Sequence, residues 1–225
     1  MDQSVVIVCE DLFGLEVYSI LKEINEFVRR EKILHDTYNI VGFLSSVNNP
    51  FGSIEMNIPV WTDVDDIGFK DKTSYVMGIK NPLNKKEHAE RLKKKGADFL
   101  TVLTPWTLTP YHMSIGEGCV ISNYSFKDGA VFEPFVTMIN VMSGAAHVGA
   151  YTTIDALANI TNAEIGECVY IGSHAFLMEH KTIGTGAYIY PGSMVYADVK
   201  EDFKVAGIPA NKTKFRKITE ANASD

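Results

Sequence analysis

Six histidines and three cysteines are the side chains whose protonation can change near neutral or mildly alkaline pH. His147 (AAHVG), His174 (IGSHAF) and His180 (MEHKTIG) stand where small residues alternate with short aliphatic runs, and Glu179 could orient His180. His112 follows a Pro-rich stretch, while His88 reads as helix surface and His35 as loop. An imidazole of ordinary basicity can take the proton from an amine or hydroxyl as that group attacks an electrophile. Cys9, Cys119 and Cys168 lie in apolar surroundings (IVCED, GCVIS, ECVYI) without CxxC spacing, which disfavours disulfides and zinc and predicts buried thiols. None has a histidine beside it in sequence, so the local pattern offers no activated thiol for nucleophilic catalysis.

Two kinds of element must position these groups. Residues 4 to 104 alternate β-rich runs with helical patterns: VVIV (5 to 8), the helix LEVYSILKEINEFVRREK, then NIVGFLSS (39 to 46). IPVWTDVDDIG, the strand TSYVMGI (73 to 79), the Lys-rich helix NKKEHAERLKKKG with Gly96 as its C-cap, and the strand DFLTVL (98 to 103) follow. This grammar predicts a small Rossmann-like parallel α/β domain over 1–104, and the Lys run reads as a solvated helix face. TPWTLTPYHM (104 to 113) breaks the pattern.

Beyond it the period is six. Ile165, Ile171, Leu177, Ile183, Ile189 and Val195 are evenly spaced, as are Val148, Ile154 and Ile160, and again Ile115 and Ile121. A helix of 3.6 residues per turn cannot sustain that stripe, whereas a triangular parallel β-helix returns a residue to an equivalent inward place on each face. Coils start at Ile115-Gly116, Val148-Gly149, Ile165-Gly166 and Ile183-Gly184, with Phe132 between the first two. A left-handed parallel β-helix is expected over 105–212, capped by the α/β domain at one end and by VAGIPANKTKFRKI at the other, with a tail over 213–225.

Composition narrows the partners. A hydrophobic fraction of 46% suffices for a packed core. A net charge of -7 with no Lys/Arg stripe gives no reason to expect nucleic acid. The start lacks a basic n-region and no apolar run reaches membrane-span length, which predicts a cytoplasmic protein.

The sequence resembles the sugar acyltransferases of the sialic-acid O-acetyltransferase and bacillosamine N-acetyltransferase group. The likeness rests on VVIVCEDLFGLEVYSIL, IVGFLSS, KKEHAERLKKKGADF, LTPWTLTPYHMSIGEG and the closing ADVKEDFKVAGIPAN. It implies acetyl-CoA as donor, a sugar or nucleotide-sugar acceptor, a homotrimer with the coenzyme between neighbouring β-helices, and a place in surface-polysaccharide or glycan-precursor synthesis, with no metal. Asn140 and His147 keep the family's Asn-to-His separation, which implies His147 as general base and Asn140 as a substrate contact. Gly172, Gly184, Gly207 and Pro209 are the implied coenzyme contacts. Tyr170 stands where a second histidine is common.

Two departures accompany these echoes. The family's glycine-rich first loop is replaced by Cys9, Glu10, Asp11, Leu12, Phe13 and Gly14, with Asp11 placed to cap the following helix. The coil from Phe132 to Val148 is about two residues short of eighteen. If the shortening falls after His147 the ring is placed as the base; if before it, no histidine occupies that position, and His174 and His180 become the candidates. A non-catalytic trimer that keeps the scaffold is the alternative.

Overall fold

The computed structural model describes residues 3–33, 37–63, 73–107, 111–122, 128–141 and 143–212; His35 and the tail over 213–225 fall outside them. The first unit comprises β1 (Gln3–Cys9), α1 (Phe13–Arg30), β2 (Tyr38–Leu44), β3 (Val60–Trp61), β4 (Thr73–Gly78), α2 (Pro82–Lys94) and β5 (Asp98–Phe99). Its parallel sheet has the order β3-β2-β1-β4-β5. Val17, Ile20, Leu21, Ile24 and Val28 recur at helical spacing and bury α1 against the sheet. Gly14 lets the first turn of α1 approach β1, since a Cβ there would lie 2.5 Å from that of Cys9. Helix α2 stops as expected: Gly96 takes φ +84°, its amide bonds Lys93 O, and the Ala97 amide bonds Leu92 O.

DFLTVL is not one strand. Its first part is β5, whereas Val102–Leu103 forms β6, which pairs with β8 (Val120–Ser122) and is the first rung of the second unit. Both ends are β-rich, but the parallel partners of each lie in different sheets.

The second unit is a parallel β-helix with three faces. The first face stacks β7 (Ser114–Ile115), β9 (Val131–Phe132), β11 (His147–Val148), β13 (Glu164–Ile165) and β16 (Thr182–Ile183). The second stacks β6, β8, β10 (Thr137–Ile139), β12 (Thr153–Ile154), β14 (Tyr170–Ile171), β17 (Tyr188–Ile189) and β19 (Lys204–Ala206), and is closed by the antiparallel β20 (Asn211–Lys212). The third pairs β15 (Phe176–Leu177) with β18 (Met194–Val195), below which Asn159 bridges to Phe176. The six-spaced aliphatics point inward as expected and form one core that includes Phe132, Val148, Ile154, Ile165, Ile171, Leu177 and Ile189.

The coils are regular on one side only. From first to second face the step is six residues each time: Ile115 to Ile121, Phe132 to Met138, Val148 to Ile154, Ile165 to Ile171, Ile183 to Ile189. Midway stands a residue of positive φ, namely Gly118, Phe135, Tyr151, Cys168 and Gly186. The return through the third face takes ten residues from Met138 to Val148, eleven from Ile154 to Ile165, and twelve from Ile171 to Ile183.

Helix α2 runs along the regular corner. Lys93 pairs with Glu117 and lies over the Phe135 ring, and Lys86 pairs with Glu167 and lies over the Tyr151 ring. Seven residues of helix rise about 10.5 Å, close to two rungs spaced by about 4.8 Å, so Lys93 straddles the first and second corners and Lys86 the third and fourth, an offset of two coils. Lys85 and Lys86 of the basic run are therefore docked on the β-helix, whereas Arg91, Lys93, Lys94 and Lys95 keep the solvent exposure expected of it. Lys85 is buried completely, and its Nζ donates to Phe135 O (3.1 Å), Thr137 Oγ1 (2.8 Å), Thr152 O (3.2 Å) and Thr153 Oγ1 (2.8 Å).

The glycines after the inward aliphatics are required by coil spacing. A Cβ on Gly149 would lie 2.5 Å from the Gly166 carbonyl carbon and 2.6 Å from Glu167 N, both backbone. Gly149→Ala is expected to cost about 2–3 kcal/mol and to lower the melting temperature by roughly 5–10 °C. Gly192→Ala meets nothing within 4 Å but sits at φ +68°, so it should cost only about 1 kcal/mol. Equal losses in a thermal melt would rule out inter-coil contact as the cause.

Candidate active site

His147 lies on the first face with its ring outward and half-exposed. It pairs in register with Val131 below and Glu164 above, one residue before inward-facing Val148. The shortening of that coil therefore lies before His147, between Met138 and the ring, which is the case in which the register carries no histidine to the family's base position; His147 stands on a flat face rather than at a corner. Its Nε2 is 3.2 Å from Glu133 Oε1 and its Nδ1 is 3.2 Å from Glu164 Oε2. Glu133 is anchored further by the Ala150 amide, which donates to its Oε2 at 3.2 Å. Both glutamates escaped the sequence reading because they are neighbours only across coils, fourteen and seventeen residues from His147.

Asn140 ends β10 at φ +50°, at the corner between second and third faces; its amide donates to Ser122 O and its carbonyl accepts from Leu157. No hydrogen bond between Asn140 and His147 is among those of the described residues. Gly172 and Gly184 donate their amides to Ile189 O (2.9 Å) and Val199 O (2.8 Å). A Cβ on either would strike the coil above, at Pro191 N and Glu201 N respectively. Their amides are thus engaged in stacking, which explains these glycines without a coenzyme. Gly207 donates to Ser193 Oγ at 3.3 Å, and Pro209 follows Ile208 in the closing turn between β19 and β20.

The other histidines separate by environment. His174 (φ +58°) and His180 (φ +61°) are exposed corner residues, the latter 3.9 Å from Glu179. His112 is exposed beside Asp128. His88 corrects the expectation of helix surface. It is buried, with Nε2 3.0 Å from Glu10 Oε1 and Nδ1 3.3 Å from the Arg91 guanidinium. The stripe Lys85, His88, Ala89 and Leu92 at helical spacing is the signal that α2 buries this side.

The described thiols are buried as expected, and burial pushes Cys9 up to about 12 and Cys119 up to about 11, which leaves them protonated and poorly nucleophilic. Tyr170 donates to Asp155 Oδ2 (3.2 Å) and stacks on Tyr188, and burial raises its phenol far above the ordinary range. Asp155 also receives Lys80, which joins the two units at 3.0 Å.

The sheet order changes direction between β1 and β4, and the crevice beyond their carboxyl ends is where open α/β sheets hold ligands. Here Glu10 fills it. Its Oε2 accepts from Asn84 Nδ2 (2.6 Å) and its Oε1 faces His88, whose hydrogen bond holds the carboxyl below its ordinary range. Asp11 stands one residue before the N-cap of α1, which is Leu12, rather than at it; its Oδ1 accepts the Phe13 amide at 2.8 Å.

No protein-family profile matches the chain. The bifunctional protein GlmU of Rhizobium etli is 32% identical over 96 residues, 41% of this chain and 21% of that protein, so the chain spans about a fifth of that relative's length. The acetyltransferase domain of PglB from Neisseria gonorrhoeae FA1090, in complex with acetyl coenzyme A, is 18% identical with a TM-score of 0.75, over 95% of this chain and 100% of that one. PerB from Caulobacter crescentus, in complex with CoA and GDP-perosamine, is 15% identical with a TM-score of 0.73, over 93% of this chain and 97% of that one. At these identities the likeness is one of fold: a small α/β domain followed by a parallel β-helix, shared along nearly the whole chain.

Proposed function

We propose that this protein transfers an acyl group, acetyl in the first instance, from acyl-CoA to an amine or hydroxyl of a sugar destined for a surface polysaccharide or glycan precursor. It works in the cytoplasm as a homotrimer whose β-helices enclose the donor between them, with Asn140 contacting the acceptor and Gly172, Gly184, Gly207 and Pro209 bordering the coenzyme. The observation that carries this reading is the match, over 95% of the chain, to an acetyltransferase domain in complex with acetyl coenzyme A. No helix of the described residues is long and apolar enough to cross a membrane.

His147 is kept as the general base in this reading although the shortening lies before it, because among His147, His174 and His180 it is the one whose partner carboxylate is itself held by a backbone amide; His174 and His180 are the alternatives. Glu133, held by the Ala150 amide, accepts a hydrogen bond from Nε2–H, which keeps the proton on Nε2 and leaves the Nδ1 lone pair for the acceptor once the exposed Glu164 swings aside. The acceptor nitrogen or oxygen attacks the thioester carbonyl as its proton passes to Nδ1. The tetrahedral adduct then expels the coenzyme sulfur, which leaves as thiolate or takes a proton. A non-catalytic trimer is the competing reading, favoured by the two carboxylates that already face both ring nitrogens. The test combines light scattering with release of CoA from acetyl-CoA over a panel of amino sugars, nucleotide-linked sugars and simple alcohols. Three chains per particle and acceptor-dependent release are expected. A monomer removes the shared groove, and acetyl-CoA binding without turnover of any acceptor favours the scaffold.

A further inference from the structure

The crevice at the switch between β1 and β4 is closed to phosphate by the chain's own side chains. A helix N-terminus holds an anion with the amides of its first turn, and two such termini, those of α1 and α2, flank this crevice. On α1 the Phe13 amide donates to Asp11 Oδ1, Gly14 to Asp11 O, and Leu15 and Glu16 to Leu12 O. On α2, Pro82 has no amide proton, Leu83 and Asn84 donate to Asn81 Oδ1, and Lys85 donates to Asn81 O. First-turn donors of both helices are thus already taken.

The charges have the same effect. Glu10 is fixed in the crevice by Asn84 and His88, and Asp11 by the Phe13 amide that opens α1. The neighbouring cation, Lys80, is 3.0 Å from Asp155, 3.7 Å from Glu16, and lies over the Phe13 ring. A diphosphate would meet more carboxylates than cations and would have to break caps to find donors.

Resting on the acyl-transfer reading, we propose that the acceptor is a sugar amine or alcohol carrying no nucleotide diphosphate in this crevice, and that Glu10, Asp11 and Asn81 are the residues that exclude one. The acceptor class then differs from that of PerB, whose structure contains GDP-perosamine.

The experiment is calorimetric titration of the full chain with UDP, GDP and inorganic pyrophosphate, in saturating CoA so that the coenzyme's own nucleotide site is filled. Wild type should show no saturation up to about 1 mM. Glu10→Gln/Asp11→Gly/Asn81→Gly removes both charges and releases the first-turn amides that Asp11 and Asn81 hold, and should bind UDP at least tenfold more tightly than that limit. A wild-type Kd below about 100 μM overturns the proposal, as does a folded triple variant that still fails to bind. If acetyl-CoA binds and no acceptor of any kind is turned over, the acyl-transfer reading fails, and the nucleotide titration still decides this one. Preference for a nucleotide-linked sugar over the same sugar unlinked overturns this one alone.

Discussion

Lys85→Ala is expected to lower stability by about 3–5 kcal/mol, roughly 10 °C or more in melting temperature for a chain of this size. The ammonium is buried completely and binds four oxygens, none of them a carboxylate, on two adjacent coils of the second face. Truncation empties the volume of the side chain between α2 and the β-helix and removes the donor those oxygens share. Lys85→Met refills the volume without the donor and should recover part of the loss; equal losses for both variants would show that the hydrogen bonds alone matter. Burial pushes the Lys85 ammonium from 10.5 down to about 7, while the four oxygens favour the charged form. With the folded value below the unfolded one, the unfolded chain binds more protons between about pH 7 and 10.5. Stability from this group therefore rises with pH through that window, and the margin of wild type over Lys85→Met should widen from neutral to alkaline pH in urea titrations. A margin independent of pH would mean that the four oxygens cancel the effect of burial.

His147→Ala should reduce kcat by at least about a hundredfold while the affinity for acetyl-CoA stays within about twofold, the signature of a group that acts on a proton. Exposed His174 and His180 serve as comparators, and alanine at either should leave most of the rate. Glu133→Gln tests orientation. If Glu133 fixes the Nε2 proton, the substitution lowers kcat more than it changes KM and shifts the pH-rate profile, which a merely structural role would not do. Retention of the rate in His147→Ala with loss in His174→Ala or His180→Ala moves the base to a corner.

The parts legible in the sequence are those fixed by local repetition. Ile165, Ile171 and Leu177 face inward because a period of six leaves them no other place, and coil starts such as Val148-Gly149 are marked by a glycine that only tight stacking requires. Contacts between distant segments were not legible. Lys85 occupies the buried stripe of α2, but its type suggested solvent, and the oxygens that hold it are fifty or more residues away. The strand over 98 to 103 looked continuous because β propensity does not reveal that its two ends pair in different sheets. Glu133 and Glu164 become partners of His147 only once the register of that short coil is fixed.

The constant six-residue step under α2 divides the β-helix into a side that tolerates changes of chain length and a side that does not. A residue inserted or deleted between Val148 and Ile154 would displace Tyr151 from the corner that Lys86 grips, and with it the match between helix rise and rung spacing. The return through the third face already lengthens by one residue from each of these coils to the next and leaves the pairing of the first face intact. Peptide tags, fluorescent labels or grafted loops should therefore be carried on the third-face return at an exposed corner such as Leu157, and kept out of the segments that the helix measures.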